Sequence, residues 1–282
     1  QGKQRIVFPL YDNATGNEYA SVIYSDNNGA TWTRGARVNN LASGGKTSES
    51  QVVNLPDGGM RIFCRNLGGQ ITCADSYDGS ESYALFLTLP GYEGLYFQGV
   101  GQNLYSENFA FEALNYNDRM IVAAPQLSDW GETSAVQTIA LTEYLLDRYN
   151  IDRERVYAEG YSVGGETLSR VMGMRPDLFT AYLQCSSQWD GAYEPVVEAR
   201  VPIYFVVGQG DEYYGSDPSR EAYDSLHELY EQAGLSQAEI DQLLVLDVKD
   251  ADYFRDGGAP NQHGGGNLFA QDPEIMGWLF KQ

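Results

Sequence analysis

Cysteine and histidine are the scarce residues of this chain, with three and two among 282 positions. Three cysteines exclude a disulfide-framework scaffold and offer no metal-site spacing, so neither a metal nor a cofactor is expected. Two histidines, His227 and His263, leave any imidazole chemistry only two addresses. Basic residues are also few: 18 Lys and Arg face 39 Asp and Glu, a net charge of -21. Such a field repels phosphate backbones, and no nucleic-acid partner is expected. No apolar run approaches the ~18 residues of a membrane span, so no membrane partner is expected either. No signal peptide is evident. The opening at Gln1 rather than Met reads as a trimmed start. Secreted or periplasmic placement is favoured over cytoplasmic; the oligomeric state is not legible.

What is present is a globular composition, 43% apolar and 13% aromatic, able to bury a large core. One large domain, or one with a small companion, is expected. Residues 1–80 and 81–282 read differently. The first part holds strand-like runs at Arg5–Leu10, Tyr19–Ser25, Ser50–Leu55, Met60–Asn66 and Ile71–Asp75, separated by Asn, Gly and Asp turns. That is an antiparallel β segment. The second part alternates apolar strands with amphipathic helices, the pattern of a parallel sheet with crossovers. Its strands are expected at Tyr83–Leu89, Asp118–Ala124, Val156–Ala158, Ala181–Cys185, Val201–Val207 and Leu243–Val248. Helices are expected at Ser134–Tyr149, Pro218–Ala233 and Pro273–Phe280.

The stretch around which the second part is organised reads RVYAEGYSVGG, Arg155 to Gly165. Gly160, Ser162 and Gly164 spell G-x-S-x-G between a buried strand and the start of a helix. Strand, sharp turn and helix form the context a nucleophile elbow requires. Glycines are needed because the turn leaves no room for flanking side chains, and the Ser162 hydroxyl is left at its apex.

With this motif and its order of elements, residues 81–282 resemble the α/β-hydrolases, nearest the depolymerase-like and prolyl-oligopeptidase-like esterases. The resemblance implies a mostly parallel sheet flanked by helices and a Ser, acid, His order. It implies His263, in a Gly-rich loop after the last strand, as the base, with His227 on a helix as the structural competitor. It implies Asp211, after the strand Val201–Val207, as the acid. Asp190 is the alternative, while Asp217, Asp247, Asp250 and Asp252 read as surface charge. The oxyanion donors it implies are the backbone N–H groups of Val163 and Tyr92. Trp130 and Trp189 follow strands and read equally as pocket lining or core packing.

Residues 25–32, SDNNGATW, fit the Asp-box of sialidase propellers, and the run Thr47 to Asn66 also resembles sialidases. Glu49 matches the glutamate that assists the sialidase nucleophile, and Arg65 matches one carboxylate-binding arginine. A propeller needs several blades, and the family's acid, tyrosine and other arginines have no counterpart. Glu49 and Arg65 therefore read as relics of a borrowed piece.

These readings make the chain a serine carboxylester hydrolase acting on a small or carbohydrate-linked ester. A serine peptidase of the same fold and a glycan-binding or sialidase-derived module are the alternatives. Two structural expectations go with them. A hairpin turning at Gly68-Gly69 would set Cys64 opposite Cys73. The same hairpin, residues 60–75, would join the hydrolase sheet by pairing Ile71–Asp75 with Arg119–Ala124, and so extend its edge.

Overall fold

The computed structural model describes residues 6–12, 19–25, 29–38, 47–54, 60–66, 71–76, 82–92, 104–117 and 119–282. They belong to two compact units, Gln1–Glu81 and Ser82–Gln282.

The first unit has two antiparallel three-stranded sheets. One joins β1 (Ile6–Asp12), β2 (Tyr19–Ser25) and β3 (Thr33–Val38); the other joins β4 (Thr47–Asn54), β5 (Met60–Asn66) and β6 (Ile71–Ser76). A small apolar cluster of Ala20 and Ile62, with Val22 and Val52 against it, draws on both sheets. The turn after β2 is tied by the Gly29 N–H, which donates to Ser25 Oγ at 2.8 Å, and Trp32 packs on Phe8 with ring centres 5.4 Å apart. Strand β3 was not legible because Arg34, Gly35 and Arg37 give it no apolar alternation.

Two expectations fail here. β5 and β6 pair Phe63 with Cys73 and Cys64 with Thr72, one residue away from the expected register. The last pair is Arg65 with Ile71, so residues 66–70 intervene instead of a two-residue Gly-Gly turn. Cys64 and Cys73 are not partners. Nor is the expected ladder between the hairpin and residues 119–124 among the pairings of the described residues, where β6 pairs with β5 and ends a three-stranded sheet.

The second unit is built on a six-stranded sheet in the order β12-β11-β10-β9-β7-β8. Its strands are β7 (Tyr83–Leu89), β8 (Met120–Ala123), β9 (Ile151–Tyr161), β10 (Ala181–Cys185), β11 (Ile203–Gly208) and β12 (Leu244–Lys249). Every neighbouring pair is parallel. The helices are α1 (Phe109–Glu112), α2 (Glu132–Arg148), α3 (Val163–Met174), α4 (Glu194–Ala199), α5 (Asp217–Gln232), α6 (Gln237–Leu243), α7 (Ala251–Asp256), α8 (Gly266–Gln271) and α9 (Pro273–Leu279).

A parallel sheet covered on both faces needs strands that are apolar throughout, and β7 is buried at every position. Alternation then assigns its side chains to two cores. Leu85, Leu87 and Leu89 pack with Leu168 and Met172 of α3, Leu226 of α5 and Ala135 of α2. Ala84 and Phe86 face the other way, with Phe109 of α1, Phe254 of α7, Phe269 of α8 and Met276 of α9. Strand order reverses where β7 lies between β8 and β9. Such a switch point opens a crevice beyond the carboxyl ends of the strands, and β9 ends there at Tyr161, one residue before Ser162.

Candidate active site

Ser162 sits between β9 and α3 with φ 55 and ψ −124, a backbone conformation that costs energy in any residue with a side chain. The surroundings hold it there. Its N–H donates to the Cys185 carbonyl at 2.9 Å, and its own carbonyl accepts the Gly165 N–H at 2.8 Å and the Ser187 hydroxyl at 2.6 Å. Gly164 is required for space. A Cβ there would lie 2.0 Å from the Leu89 carbonyl oxygen and 2.8 Å from that of Pro90. The loop after β7 thus runs directly against the elbow. Ser187 was missed in the sequence, where a serine after a strand carries no distinguishing signal.

His263, in the loop after α7, comes over the end of the sheet. Its Nε2 lies 3.2 Å from Ser162 Oγ, and its Nδ1 lies 2.8 Å from Asp211 Oδ2. The Asp211 side chain has no solvent exposure and the imidazole only 12%. Asp211 Oδ1 accepts the N–H groups of Tyr213 and Tyr214, both at 2.9 Å. Burial pushes the Asp211 carboxyl up, but the His263 hydrogen bond and these two donors outweigh it, so its pKa is lowered and it stays ionised.

The loop that carries His263 is itself pinned. Glu212 accepts the His263 N–H at 2.8 Å and the Gln262 N–H at 3.2 Å, and Gln262 accepts the Gly210 N–H at 2.7 Å. Three tyrosine rings surround the imidazole: Tyr213 at 4.5 Å, Tyr161 at 5.6 Å and Tyr214 at 5.7 Å between ring centres. A hydroxyl, an imidazole and an ionised carboxylate in this order can move the serine proton to nitrogen as the oxygen attacks an electrophile.

The other candidates lie elsewhere. His227, on α5, pairs with Gln237. Asp190 bonds Arg170 at 3.0 Å. Asp217 opens α5, and Asp247 is held by Tyr204 and Lys249, both at 2.8 Å. Asp250 caps α7 and Asp252 pairs with Arg255. Trp189 stacks on Tyr193 at 5.5 Å and packs against the main core, so packing is the better description of it. Trp130 is 40% exposed, with its ring 5.9 Å from that of Tyr92 in the loop after β7. Val163 is the first residue of α3, so its N–H is among those a helix start leaves free of intrahelical bonds. In the first unit, Glu49 occupies a register shift in β4, between Ser48 opposite Arg65 and Ser50 opposite Cys64. The side chains of Glu49 and Arg65 lie outside the described residues.

Residues 126–226 match the prolyl oligopeptidase family model. A crystal structure of a thermostable esterase superposes with a TM-score of 0.58 at 17% identity, over 94% of this chain and 72% of that one. The fold is that of the α/β-hydrolases. The family match and fold together support a serine hydrolase built on it. Two curated relatives are similar only in part to this α/β-hydrolase chain. A sialidase of Paraclostridium sordellii is 38% identical over 29% of this chain and 19% of its own length. An anhydrosialidase of Macrobdella decora is 26% identical over 55% of this chain and 20% of its own. The matches thus span about a fifth of those relatives' length, in keeping with a sialidase-like fragment joined to a hydrolase unit.

Proposed function

We propose that the chain is a serine carboxylester hydrolase, acting on a small or carbohydrate-linked ester through an acyl-enzyme. The observation that carries this reading is the unbroken line from Ser162 Oγ through His263 to the buried Asp211, with distances of 3.2 and 2.8 Å. In this mechanism Ser162 Oγ attacks the ester carbonyl while its proton passes to His263 Nε2. The tetrahedral intermediate then expels the alcohol, which takes that proton from the imidazolium. Water, deprotonated by the same nitrogen, attacks the acyl-enzyme, and Ser162 regains its proton as the acid leaves. Asp211 holds the imidazole in the required tautomer and stabilises its cation. The N–H groups of Val163 and Tyr92 are the oxyanion donors in this scheme.

A serine peptidase with the same groups is the second reading, favoured by the family matched at residues 126–226. Hydrolysis of p-nitrophenyl acetate, a peptide p-nitroanilide and a fluorogenic sialoside by the purified chain separates the readings. Ester turnover lost in Ser162→Ala, with neither amide nor sialoside turnover, is the expected result. Release of sialic acid that persists in Ser162→Ala would overturn it in favour of the sialidase-derived module.

A further inference from the structure

Two successive carboxylates hold His263 at two different places. Asp211 takes the ring at Nδ1, 2.8 Å away. Glu212 takes the backbone, its Oε2 accepting the His263 N–H at 2.8 Å and its Oε1 the Gln262 N–H at 3.2 Å. The turn that carries both carboxylates is itself tied to the sheet. The Gln209 N–H donates to the Lys249 carbonyl of β12 at 2.8 Å, and the Gly215 N–H donates to the Asp211 carbonyl at 3.0 Å. The Gln262 side chain returns the hold, its Oε1 accepting the Gly210 N–H at 2.7 Å. Turn and loop lie so close that a Cβ on Gly208 would come 2.8 Å from Gln262 Cβ, and one on Gly210 would come 2.8 Å from Gln262 Nε2.

The loop needs such a hold. Gly257, Gly258, Gly264, Gly265 and Gly266 flank His263, and glycine loses more conformational freedom on ordering than any other residue. His263 stands in neither a helix nor a strand, so no ladder of backbone bonds fixes it. The N–H groups of Gln262 and His263 go to Glu212, and that of Gly264 goes to Asn261 inside the loop. Burial pushes the Glu212 carboxyl up, but these two donors outweigh it, so its pKa is lowered and it stays an anion. Hydrogen bonds to an ionised carboxylate are about twice as strong as those between neutral groups. The Asp211 bond thus orients the ring, and the Glu212 bonds fix the backbone from which the ring hangs. A base displaced by even a fraction of an ångström serves its nucleophile poorly.

We infer that Glu212 is a positioning residue of the hydrolytic site: by holding the backbone of Gln262 and His263, it sets where the imidazole stands between Asp211 and Ser162. This rests on the esterase reading above and adds a residue to it. Glu212 acts through His263 and touches no reacting atom. The purely structural alternative is that it only fastens one surface loop to another, stabilising the fold without bearing on the rate.

The two differ in what Glu212→Ala and Glu212→Gln do to the full chain. kcat and KM on p-nitrophenyl acetate are taken per active site, counted by complete fluorophosphonate labelling, and hydrogen exchange of the His263 amide is followed by NMR. Glu212→Ala should lose about tenfold in kcat, the loss of roughly one hydrogen bond to a charged group. Its His263 amide should exchange faster. KM should stay unchanged, because His263 is the base in both acylation and deacylation and the two slow together. Glu212→Gln keeps one acceptor oxygen and should recover part of the rate, losing only about threefold. Wild-type kcat per site in Glu212→Ala overturns the inference, even where the melting temperature falls. So does a loss carried by KM, which would put Glu212 in contact with substrate. A Gln variant as slow as the Ala variant overturns it too, since charge and not the acceptor oxygens would then matter. Should Glu212→Ala not fold, the nearly isosteric Gln variant carries the test, and wild-type kcat in it overturns the inference. A wild-type chain without ester turnover overturns the esterase reading itself, and this inference with it.

Discussion

The two units solve the problem of burying a β-sheet in opposite ways. The second covers both faces of a parallel sheet with helices, and Phe86, Phe205, Leu85, Leu87 and Leu89 are among its fully buried side chains. Each such residue stabilises by roughly 1.5–3 kcal/mol relative to exposure, so the unit's stability is spread over two continuous cores. In the first unit the described cluster is Ala20 and Ile62 with Val22 and Val52. A dense two-sided core also fixes positions to within fractions of an ångström, which a Ser, His, Asp line needs. The loops that meet at Ser162 come from the ends of β7, β9, β10, β11 and the segment after α7, so the site is a product of that sheet's rigidity.

The largest expected effect tests whether chemistry belongs to the second unit alone. Ser162→Ala should lower ester turnover by at least three orders of magnitude, and His263→Ala should match it, because members of such a line act as a unit. His227→Ala should leave the rate unchanged, since that imidazole pairs with Gln237 and not with Ser162. Steady-state rates on p-nitrophenyl acetate check all three. An inactive His227 variant beside an active His263 variant would reassign the base.

The same difference explains what could be seen in advance. Tyr83–Leu89 and Ala181–Cys185 are apolar but for Thr88 and Gln184, and such runs announce a buried strand with its bounds. The elbow announced itself through glycines that the structure shows to be sterically required. His263 was accessible because only two histidines exist, and Asp211 because it follows β11 by a short Gly-rich turn. Short helices such as α4, α6 and α8 were not seen, being too brief for their period to register. In the first unit, strand existence was legible but pairing was not. Cys64 and Cys73 straddle a turn whose two glycines suggested one register, and the chain adopts the register one residue away. Side-chain period fixes register only where a face is strongly buried. The edge-joining idea failed for a related reason: edge complementarity is a statement about backbone, which every strand shares.

A second prediction turns the contrast into one about glycine. Gly164→Ala would force a Cβ to within 2.0 Å of the Leu89 carbonyl, a backbone atom that cannot yield. Gly35→Ala, in β3, would meet Val22 Cγ2 at 2.6 Å, a side-chain atom, with the nearest backbone atom 3.4 Å away. Thermal melts should show Gly164→Ala losing more than the ~1–3 kcal/mol typical of overpacking, together with all ester turnover. Gly35→Ala should lose at most the lower end of that range and keep its activity. Equal losses would mean that the two units are packed alike.

The smallest effect concerns the polar atoms each unit buries without a partner. Among the described residues, those of the second unit include Oε1 of Glu159, on β9 three residues before Ser162, and the first unit has Oγ of Ser21, on β2. Both residues are fully buried. Burial pushes the Glu159 carboxyl well above its ordinary value, the Thr88 hydroxyl at 2.7 Å offsetting only part of this and Glu107 adding to it. A carboxyl whose folded pKa is raised contributes stability below its unfolded value of about 4.3. That contribution is lost as pH rises toward the folded value, because only the unfolded chain can release the proton. Glu159→Gln removes the proton from the balance, so its gain in melting temperature should be larger at pH 8 than at pH 5. Ser21→Ala removes an unpartnered hydroxyl that does not titrate, and any change should be small and the same at both pH values. A Glu159→Gln gain equal at pH 5 and pH 8 would mean that the carboxyl ionises in place, with a compensating charge inside a sheet otherwise closed to water.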